Sequence, residues 1–389
     1  MSSVNRNVKL LGVSFLLIFF GFDGIQQYVT TFFTNLGLRS VGFVSLVIIY
    51  LVFTAANPLG AVIVSTIGAK RSMLFAVGFY TLYCFALMSA VPLVIYAASA
   101  LLGIAAAVLW TAQNTYLIRA SDATVYGANA GFFSTMFSIG AALGVVLMGL
   151  LVPILGFRTG FILFAVVPLL ALIPLAYLAD IRGEVRDDKW RMIGKALRSK
   201  TSLRIAAVWF PFNFIQGLVI GVLPLEITTT VGIVQAVGVL MGLFYIAPMV
   251  SAYALGRLSD RIGRERMIHA MYGMSILGVG LLIFGRGNPI VLVVAMVTLA
   301  VNFGLSRTIT FALVGDIATD RSVEAISALT WIVQTIATTA ALFLSIMFEG
   351  RAVYAVSLVG IIFSYFVFFP VRQLSLGVVR QRIAEELEE

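Results

Sequence analysis

Charged residues are scarce in this chain of 389 residues. Aspartate, glutamate, lysine and arginine make up 11% of the sequence, whereas 61% is hydrophobic. Soluble domains average about 25% charged and about 45–50% apolar residues, so this composition excludes an ordinary water-soluble enzyme. The longest polar segment, residues 180–203, is too short for a separate soluble domain. The composition therefore predicts an all-α membrane protein that crosses the bilayer several times.

Residues for metal, disulfide and nucleotide chemistry are also lacking. The single cysteine, Cys84, cannot form an internal disulfide, and the single histidine, His269, is expected to be structural. No G-x-x-x-x-G-K-[S/T] loop is present to bind the phosphates of ATP. We therefore predict a protein that is not an enzyme, is not an ATP-driven pump and uses no metal or other cofactor.

The net charge of +9 has a topological explanation and does not indicate nucleic-acid binding. If the N-terminus is cytoplasmic, the inner segments hold 21 of the 26 lysines and arginines. The outer loops then hold only Arg39, Arg158, Arg286 and Arg351. This bias predicts that both termini are cytoplasmic. The first apolar run is too long for a cleavable signal and is expected to act as an uncleaved anchor.

Apolar runs of about 20 residues, the length that spans the hydrocarbon core, recur along the whole chain. They predict twelve transmembrane helices, at roughly 10–34, 41–67, 72–90, 92–118, 126–150, 158–179, 204–227, 232–255, 267–285, 288–314, 323–347 and 352–371.

Weak internal matches relate the first six spans to the last six. The pattern F-[D/N]-x-I-Q begins at Phe22 and again at Phe212, and the dipeptide Ile-Gly ends at Gly68 and at Gly263. Such matches, in the same order and at similar offsets, indicate two pseudo-symmetric six-helix bundles. The predicted division is 1–179 and 204–371 for the bundles, 180–203 for a cytoplasmic linker and 372–389 for a cytoplasmic tail.

The linker is basic and contains an amphipathic pattern. Trp190, Ile193 and Leu197 share one helical face, and basic residues occupy another. This pattern predicts a helix on the anionic lipids of the inner leaflet, with a solvated linker as the alternative. The tail after Arg382 is acidic and is expected to be frayed.

A motif of charged residues and glycines lies between spans eight and nine. Residues 256–266 read G-x-x-x-D-x-x-G-R-x-R, with Gly256, Asp260, Gly263, Arg264 and Arg266 at the defined positions. This loop resembles the signature loop of the major facilitator superfamily. The resemblance implies the major facilitator fold over the whole chain.

The same loop suggests an ionic latch on the inner face. Asp260 is expected near a helix N-terminus, where the helix dipole favours negative charge. The arginines can pair with acids on neighbouring helices, and the alternative is positive-inside charge without a latch. The first-half copy has lost the acid, so a weaker latch is expected there. The residues assigned to the latch are Gly256, Asp260, Arg261, Gly263, Arg264, Arg266, Asp316, Asp320 and Glu324, with Gly68, Lys70 and Arg71 in the first half.

Two stretches of the first half point to one branch of the superfamily. The loop that begins at Gly68 and is followed by Tyr80, and span four from Gly103 to Leu117, resemble Unc-ninety-three-like proteins. Some members of that branch are regarded as transporters and others as accessory or regulatory proteins of channels or receptors. The resemblance therefore leaves both functions open.

Polar side chains recur inside the spans, where they are costly and mark functional positions. Asp23, Gln26, Gln27 and Thr30 form one stripe on span one. Polar faces on spans four, seven and ten predict a solute cavity, in agreement with the cavity-lining helices that the resemblance implies. Hydrogen bonds between packed helices are the alternative for any one of these residues. The further candidates are Trp110, Gln113, Asn114, Asn213, Gln216, Asn302, Ser306 and Arg307.

Asp23 has three predicted roles: binding a proton, pairing with a cation, or forming a salt bridge, for which Arg307 is the candidate partner. Glu226, at the outer end of span seven, is either an outer gate or an interfacial residue. Glycine pairs such as Gly140 and Gly144 are expected to let helices pack closely. Together these features predict a monomeric secondary active or facilitative transporter of a small solute, with proton coupling as one option. A non-transporting scaffold or channel regulator is the alternative.

Overall fold

The computed structural model describes residues 5–121, 126–181, 189–285, 287–317, 323–371 and 376–388, and all regular secondary structure in these ranges is helical. The helices are α1 (Arg6–Gln26), α2 (Val29–Asn35), α3 (Arg39–Ile67), α4 (Ala69–Leu87), α5 (Pro92–Arg119), α6 (Tyr126–Leu170), α7 (Leu172–Ala176), α8 (Lys189–Ala196), α9 (Lys200–Ala206), α10 (Trp209–Gly221), α11 (Leu223–Val231), α12 (Gln235–Ile262), α13 (Arg264–Phe284), α14 (Pro289–Ile317), α15 (Val323–Met347), α16 (Arg351–Phe368) and α17 (Leu376–Glu388).

Each of the twelve predicted spans coincides with a helical stretch. In the described part of the chain, eight stretches are long and apolar enough to cross a membrane, and a ninth is the pair α9 and α10, bent by 42°. The stretch Phe132–Ala176 contains the fifth and sixth spans, because the chain turns at Gly156. The third span is α4, and the eighth is the apolar part Gln235–Ala247 of α12. The prediction of an all-α membrane protein is confirmed for the described residues.

The turns between helices repeat along the chain, which supports the predicted duplication. Gly68 and Gly263 precede the third and ninth spans with nearly the same backbone angles, φ 87°, ψ 151° and φ 95°, ψ 148°. Such positive φ values favour glycine because it has no Cβ. Two further pairs have positive φ at offsets of 195 and 194 residues, namely Gly37 with Gly232 and Gly156 with Gly350.

The chain divides into two compact units. Unit 1 contains Met1–Val185 and Ile220–Ile246. In unit 1, α1 lies along α6, where a Cβ on Gly140 or Gly144 would overlap the backbone carbonyl oxygen of Leu16 or Phe20. These glycines therefore let the two backbones approach closely, as the sequence predicts.

Unit 1 also includes the ends of spans seven and eight. Gly238 of α12 lies against the backbone of Val145 and Gly149 in α6, and α11 packs on α2. The sequence-based boundaries place residues 220–246 in the second bundle, whereas these contacts place them in the first unit. The division into bundles at 179 and 204 stays a prediction.

Unit 2 contains Arg186–Val219 and Ala247–Glu389. Its α13 packs on α14 and α16, and α10 packs on α15. A Cβ on Gly217 would lie 2.6 Å from the Cβ of Ala341, so this glycine allows the close approach of α10 and α15.

Large apolar side chains cover the outside of the helices. Phe284, Leu93 and Ile154 are 85%, 78% and 77% exposed. Continuous apolar surface of this kind is rare on soluble monomers and suits contact with lipid. The chain is an integral, polytopic membrane protein.

The described end of the chain is helical, which corrects the prediction of a frayed tail after Arg382 for residues 383–388. In α17, Val379, Ile383 and Leu387 are at most 1% exposed. Their four-residue spacing forms an apolar stripe on one helical face, and α17 packs on α8, α9 and α14. The Lys195 Nζ donates a hydrogen bond to the Leu387 carbonyl oxygen at 3.1 Å.

A second polar contact joins α17 to the predicted linker. The Thr201 hydroxyl donates to the carboxylate of Glu386. Partial burial raises the pKa of Glu386, but hydrogen bonds from Ser199 and Thr201 and the charge of Arg382 outweigh it, so the pKa lies below the usual value of 4.5. Ionised Glu386 therefore favours docking of α17 on the linker.

The linker contains the two short helices α8 and α9. The first lies within the predicted amphipathic helix. The side chains of Trp190 and Ile193 lie outside the described residues, so the contact of this face with anionic lipid stays a prediction.

Candidate substrate site and charged contacts at the helix ends

The regular helical hydrogen bonding of span one is interrupted locally within its polar stripe, although Arg6–Asn35 is one apolar stretch. The helix α1 ends at Gln26 and α2 begins at Val29, with Gln27 and Tyr28 in a turn. The Tyr28 N–H donates to the Ile25 carbonyl at 2.9 Å, a tighter turn than the α-helical pattern. We call this local interruption the break.

Asp23 lies one helical turn before the break and is 5% exposed. The Gln27 Nε2 donates to the Tyr245 hydroxyl oxygen at 3.2 Å, and the Tyr245 hydroxyl donates to the Asp23 carboxylate. On the other side, Gln26 donates to the Tyr50 hydroxyl, and Tyr50 is close enough to interact electrostatically with Asp23. These five residues form two hydrogen-bonded sets in unit 1, Asp23–Tyr245–Gln27 and Gln26–Tyr50, which the electrostatic interaction of Tyr50 with Asp23 brings together.

A third tyrosine completes the surroundings of Asp23. Tyr80 of α4 lies near both Asp23 and Tyr50, and its ring packs on Phe22 at 4.9 Å and on Phe19 at 5.9 Å. We call the group of Asp23, Gln26, Gln27, Tyr50, Tyr80 and Tyr245 the Asp23 cluster.

Several buried polar atoms next to the break have no hydrogen-bond partner among the described residues. They are the Oε1 of Gln27 and the hydroxyls of Thr30 and Thr31, and the Nδ2 of Asn57 in span two is a further buried atom of this kind elsewhere in unit 1. An unsatisfied buried polar group costs about 1–3 kcal/mol. These atoms are therefore available to a polar solute or to water.

The candidates on span four lie beside the same stretch of span one. The Trp110 ring packs on Phe15 and Phe19, with centroids 5.6 and 5.3 Å apart. Gln113 is buried and Asn114 is half-buried. Because Phe19 contacts both Trp110 and Tyr80, an aromatic wall extends from span four to the Asp23 cluster.

The polar candidates in unit 2 form hydrogen bonds within their own unit. Asn302 Nδ2 donates to the Ser275 hydroxyl of α13 at 2.8 Å, and the Ser306 hydroxyl donates to Asn302 Oδ1 at 3.5 Å. The first bond joins spans nine and ten, the role of packing hydrogen bonds that the sequence left open, and the second lies within span ten.

Asn213 on span seven also bonds internally. Its Nδ2 donates to the Trp209 carbonyl at 2.8 Å, and its own carbonyl accepts from the Thr338 hydroxyl of α15 at 3.0 Å. Gln216 and Arg307 are half-buried. The predicted pairing of Asp23 with Arg307 joins residues of different units and stays a prediction.

The three tyrosines of the Asp23 cluster were not predicted from the sequence. Tyr50, Tyr80 and Tyr245 lie within apolar spans that contain few other polar residues. Membrane tyrosines concentrate at the two interfaces. Their positions near the middle of their helices were the signal that could have identified them.

The signature loop of the second half contains an ion pair. Arg264 Nε lies 3.1 Å from Asp316 Oδ2, and both side chains are partly buried. Arg266 is exposed. The side chains of Gly256, Asp260, Arg261 and Glu324, and the whole of Asp320, lie outside the described residues, so their assignment to a latch stays a prediction.

The first-half copy contains a different contact. The Lys70 Nζ donates to the carbonyl oxygens of Ala176 and Leu178, both at 2.7 Å, at the end of span six. A cation at a helix C-terminus is favoured by the helix dipole. Arg71 is exposed, and Gly68 provides the turn before α4.

The two remaining candidates have local partners. His269 Nδ1 lies 2.7 Å from the Glu265 carbonyl oxygen, one helical turn earlier, and its ring packs on Tyr365. Glu226 is 7% exposed and accepts a hydrogen bond from the Thr230 hydroxyl at 3.5 Å. His269 thus has structural contacts, whereas the choice between gate and interfacial residue for Glu226 stays open.

Known proteins resemble this chain in sequence and in fold. The chain is similar to UNC93-like protein MFSD11 of Xenopus tropicalis, with 34% identity over 141 residues, or 36% of this chain and 32% of that protein. It is also similar to UNC93-like protein 3 of Arabidopsis thaliana, with 32% identity over 135 residues, or 34% of this chain and 28% of that protein. The matched region thus spans about a third of each relative.

The fold is shared with a solved transporter. The crystal structure of a mutant of the nucleoside transporter NupG superposes with a TM-score of 0.69 at 14% identity, covering 94% of this chain and 99% of that one. A sequence model of the Major Facilitator Superfamily matches residues 11–342 and 205–384. The chain belongs to the major facilitator superfamily.

Proposed function

We propose that the chain is a secondary transporter that moves a small solute by alternating access, with the Asp23 cluster as part of its solute site. The observation that carries the proposal is the break in span one between Gln26 and Val29, next to a buried carboxylate and to buried atoms that lack hydrogen-bond partners in the described chain. A helix that served only for packing would gain nothing from these features, since each unsatisfied group costs stability.

Asp23 is also the proposed coupling residue. A buried carboxyl can take up and release a proton when its surroundings change, because burial disfavours the charged form and hydrogen-bond donors favour it. Tyr245 is such a donor. Movement of span eight relative to span one would therefore change the proton affinity of Asp23.

Uptake into proteoliposomes tests both the proposed transport and the proposed coupling role of Asp23. A thermal-shift screen of a solute library first identifies binders, since a ligand stabilises the folded state in proportion to its concentration relative to its Kd. Uptake of a binder is then measured with a solute gradient alone and with a pH gradient. We expect Asp23→Asn to abolish pH-driven accumulation and to retain exchange, whereas the control Ser14→Ala, also buried on α1, keeps both.

The scaffold hypothesis makes the opposite prediction. Binding without uptake or exchange of any binder, in vesicles that contain folded protein, would contradict transport and favour a scaffold or channel regulator. Unchanged pH-driven uptake by Asp23→Asn would leave transport intact and remove the coupling role of Asp23.

The proposed orientation places both termini and the basic linker in the cytoplasm, as the distribution of lysine and arginine requires. A reporter fused after Glu389 should be inaccessible from outside the cell. Accessibility there would contradict the orientation and reverse the assignment of inner and outer ends.

A further inference from the structure

Two buried hydroxyl groups directly after the break lack the partners that hydroxyls on helices normally have. The Oγ1 atoms of Thr30 and Thr31 are buried and make no hydrogen bond among the described residues. Threonine on a helix can donate to the carbonyl four residues earlier, as Thr34 does to the Thr30 carbonyl at 2.7 Å. For Thr30 and Thr31 these carbonyls belong to Gln26 and Gln27, which lie at the break.

A continuous helix would provide partners for both hydroxyls. The Tyr28 N–H donates to the Ile25 carbonyl, three residues earlier, whereas a regular α-helix would use the Gly24 carbonyl. Regular geometry here would place the Gln26 and Gln27 carbonyls within reach of the two hydroxyls. The broken form therefore leaves unmade two bonds that the continuous form can make, and buried groups without partners are unfavourable. Other contacts must favour the broken form.

Spans five and eight supply such contacts around Tyr28. Its side chain is 0% exposed, and its hydroxyl donates to the Val145 carbonyl at 3.3 Å. The hydroxyl oxygen lies against two glycines, because a Cβ on Gly238 would come within 3.0 Å of it and a Cβ on Gly149 would overlap it. A Cβ on Gly149 would also lie 3.0 Å from the Cα of Gly238, so the two backbones are close. We call Val145, Gly149 and Gly238 the tyrosine notch.

Span eight also binds the other residue of the turn. The Gln27 Nε2 donates to the Tyr245 hydroxyl at 3.2 Å. Gly238 and Tyr245 are seven residues apart on α12, about two helical turns, and so share one face of the helix. Both residues of the turn therefore contact the same face of span eight, and all these residues belong to unit 1.

We propose that Gln27 and Tyr28 form a hinge in span one, which becomes a continuous helix when Tyr28 leaves the tyrosine notch. Contacts with spans five and eight favour the broken form, and the hydroxyl bonds of Thr30 and Thr31 favour the continuous form, so the element has two discrete states. The hinge lies inside the polar stripe, and its movement would rearrange the proposed solute site. This inference rests on the proposed function only for the movement of span eight that drives the hinge.

Fluorine NMR of the purified full chain can report the position of Tyr28. The residue is carried as 3-fluorotyrosine, whose fluorine has a different chemical shift in the buried notch and outside it. Gly149→Ala places a Cβ where the hydroxyl lies, and it should produce a second signal at the expense of the first. The control Gly78→Ala adds a Cβ in open space and should keep the wild-type signal.

The threonines test the second half of the inference. In the Gly149→Ala background, Thr30→Val and Thr31→Val together should raise the ratio of notch-bound to released signal at least about fourfold. The reason is that each substitution removes a bond that only the continuous form makes, worth roughly twofold or more. The control Thr81→Val removes another buried hydroxyl without a partner among the described residues, but from the unbroken helix α4, and it should leave the ratio unchanged.

A second background keeps the test decisive if Gly149→Ala does not fold. Tyr28→Phe, carried as 3-fluorophenylalanine, removes only the hydroxyl that bonds to Val145 and should also increase the released signal. A signal that stays in the notch in every folded background would overturn the hinge. Equal ratios with the paired threonine substitutions and with Thr81→Val would overturn it too.

The outcomes separate this inference from the proposed function. Solute uptake by a chain whose Tyr28 signal does not respond to these substitutions would overturn the hinge and leave transport standing. A hinge that responds as expected, in protein that neither takes up nor exchanges any solute, would support the inference and contradict transport.

Discussion

Truncation of one buried side chain should release the C-terminal helix. Ile383 is 0% exposed and lies at the centre of the apolar stripe of α17. Replacing a buried isoleucine with alanine costs about 2–5 kcal/mol of stability. A helix docked at the surface can shift to fill the cavity, so the cost here should lie near the lower end of that range. A helix of 13 residues is marginal alone in water. We therefore expect Ile383→Ala to shift the docking equilibrium by about 2 kcal/mol, or roughly thirtyfold.

Trypsin provides the assay, because the side chains of Arg380 and Arg382 are exposed while their backbone is helical. Cleavage then requires local unfolding, and at low protease its rate follows the population of the open form. Loss of the last residues, followed by mass spectrometry, should be about thirtyfold faster in Ile383→Ala. The control Val378→Ala truncates a side chain that is 40% exposed and should change the rate little. Equal rates for all three proteins would refute the docking of α17.

Three further predictions concern packing, the first-half loop and pH. Gly144→Ala should lower the melting temperature through a loss of about 1–3 kcal/mol, because its Cβ overlaps a backbone oxygen; Gly78→Ala, with open space around it, should be neutral or stabilising. Lys70→Met should lower the stability of the folded protein by about 0.3–1 kcal/mol, because it removes the contacts of Lys70 at a helix C-terminus. The control Arg71→Met replaces an exposed neighbour and should leave the stability unchanged. Equal effects of the two substitutions would contradict the Lys70 contact. The pKa of Glu386 is lowered when α17 is docked. Ionised Glu386 therefore stabilises docking at pH values above its usual pKa of 4.5, and this stabilisation is lost as the pH falls through the lowered pKa. A spin label on the exposed face of α17 should therefore become mobile on acidification, and Glu386→Gln should remove this pH dependence.

The helices could be predicted from sequence because membrane insertion depends on composition. Backbone groups in lipid must be satisfied within the segment, so an apolar run of sufficient length is helical whatever its neighbours. The turn glycines, such as Gly68 and Gly263, could be aligned because positive φ restricts the residue type. Both signals are local and need no knowledge of tertiary contacts.

The residues of the proposed solute site could be identified only in part from the sequence, because the arrangement depends on contacts between distant spans. Asp23, Gln26 and Gln27 follow helical spacing on one span, so the stripe was visible. The break at Gln27 has no proline or glycine to mark it, and the Tyr50 and Tyr245 hydroxyls reach the stripe from spans two and eight. No periodicity within a single span can indicate which tyrosine meets which carboxylate.

The roles of the polar residues in the second half also depend on contacts that the sequence of a single span does not indicate. Asn302 and Asn213 have the composition of a polar face, but their hydrogen bonds go to Ser275 and to the backbone of their own unit. Amide side chains serve packing and solute binding equally well. Only the positions of their partners separate the two roles.

The contacts of the two signature loops each lie within one unit, which is compatible with the proposed alternating access. Lys70 binds the end of span six, and both lie in unit 1. Arg264 pairs with Asp316 of span ten, and both lie in unit 2. Each contact therefore holds together helices of one unit and need not break when the units move. Alternating access by movement of bundles requires that each bundle keep its shape. In the first half, which has lost the acid of the motif, the contact at the same loop is a lysine bonded to backbone carbonyls, and the expected weaker latch stays a prediction.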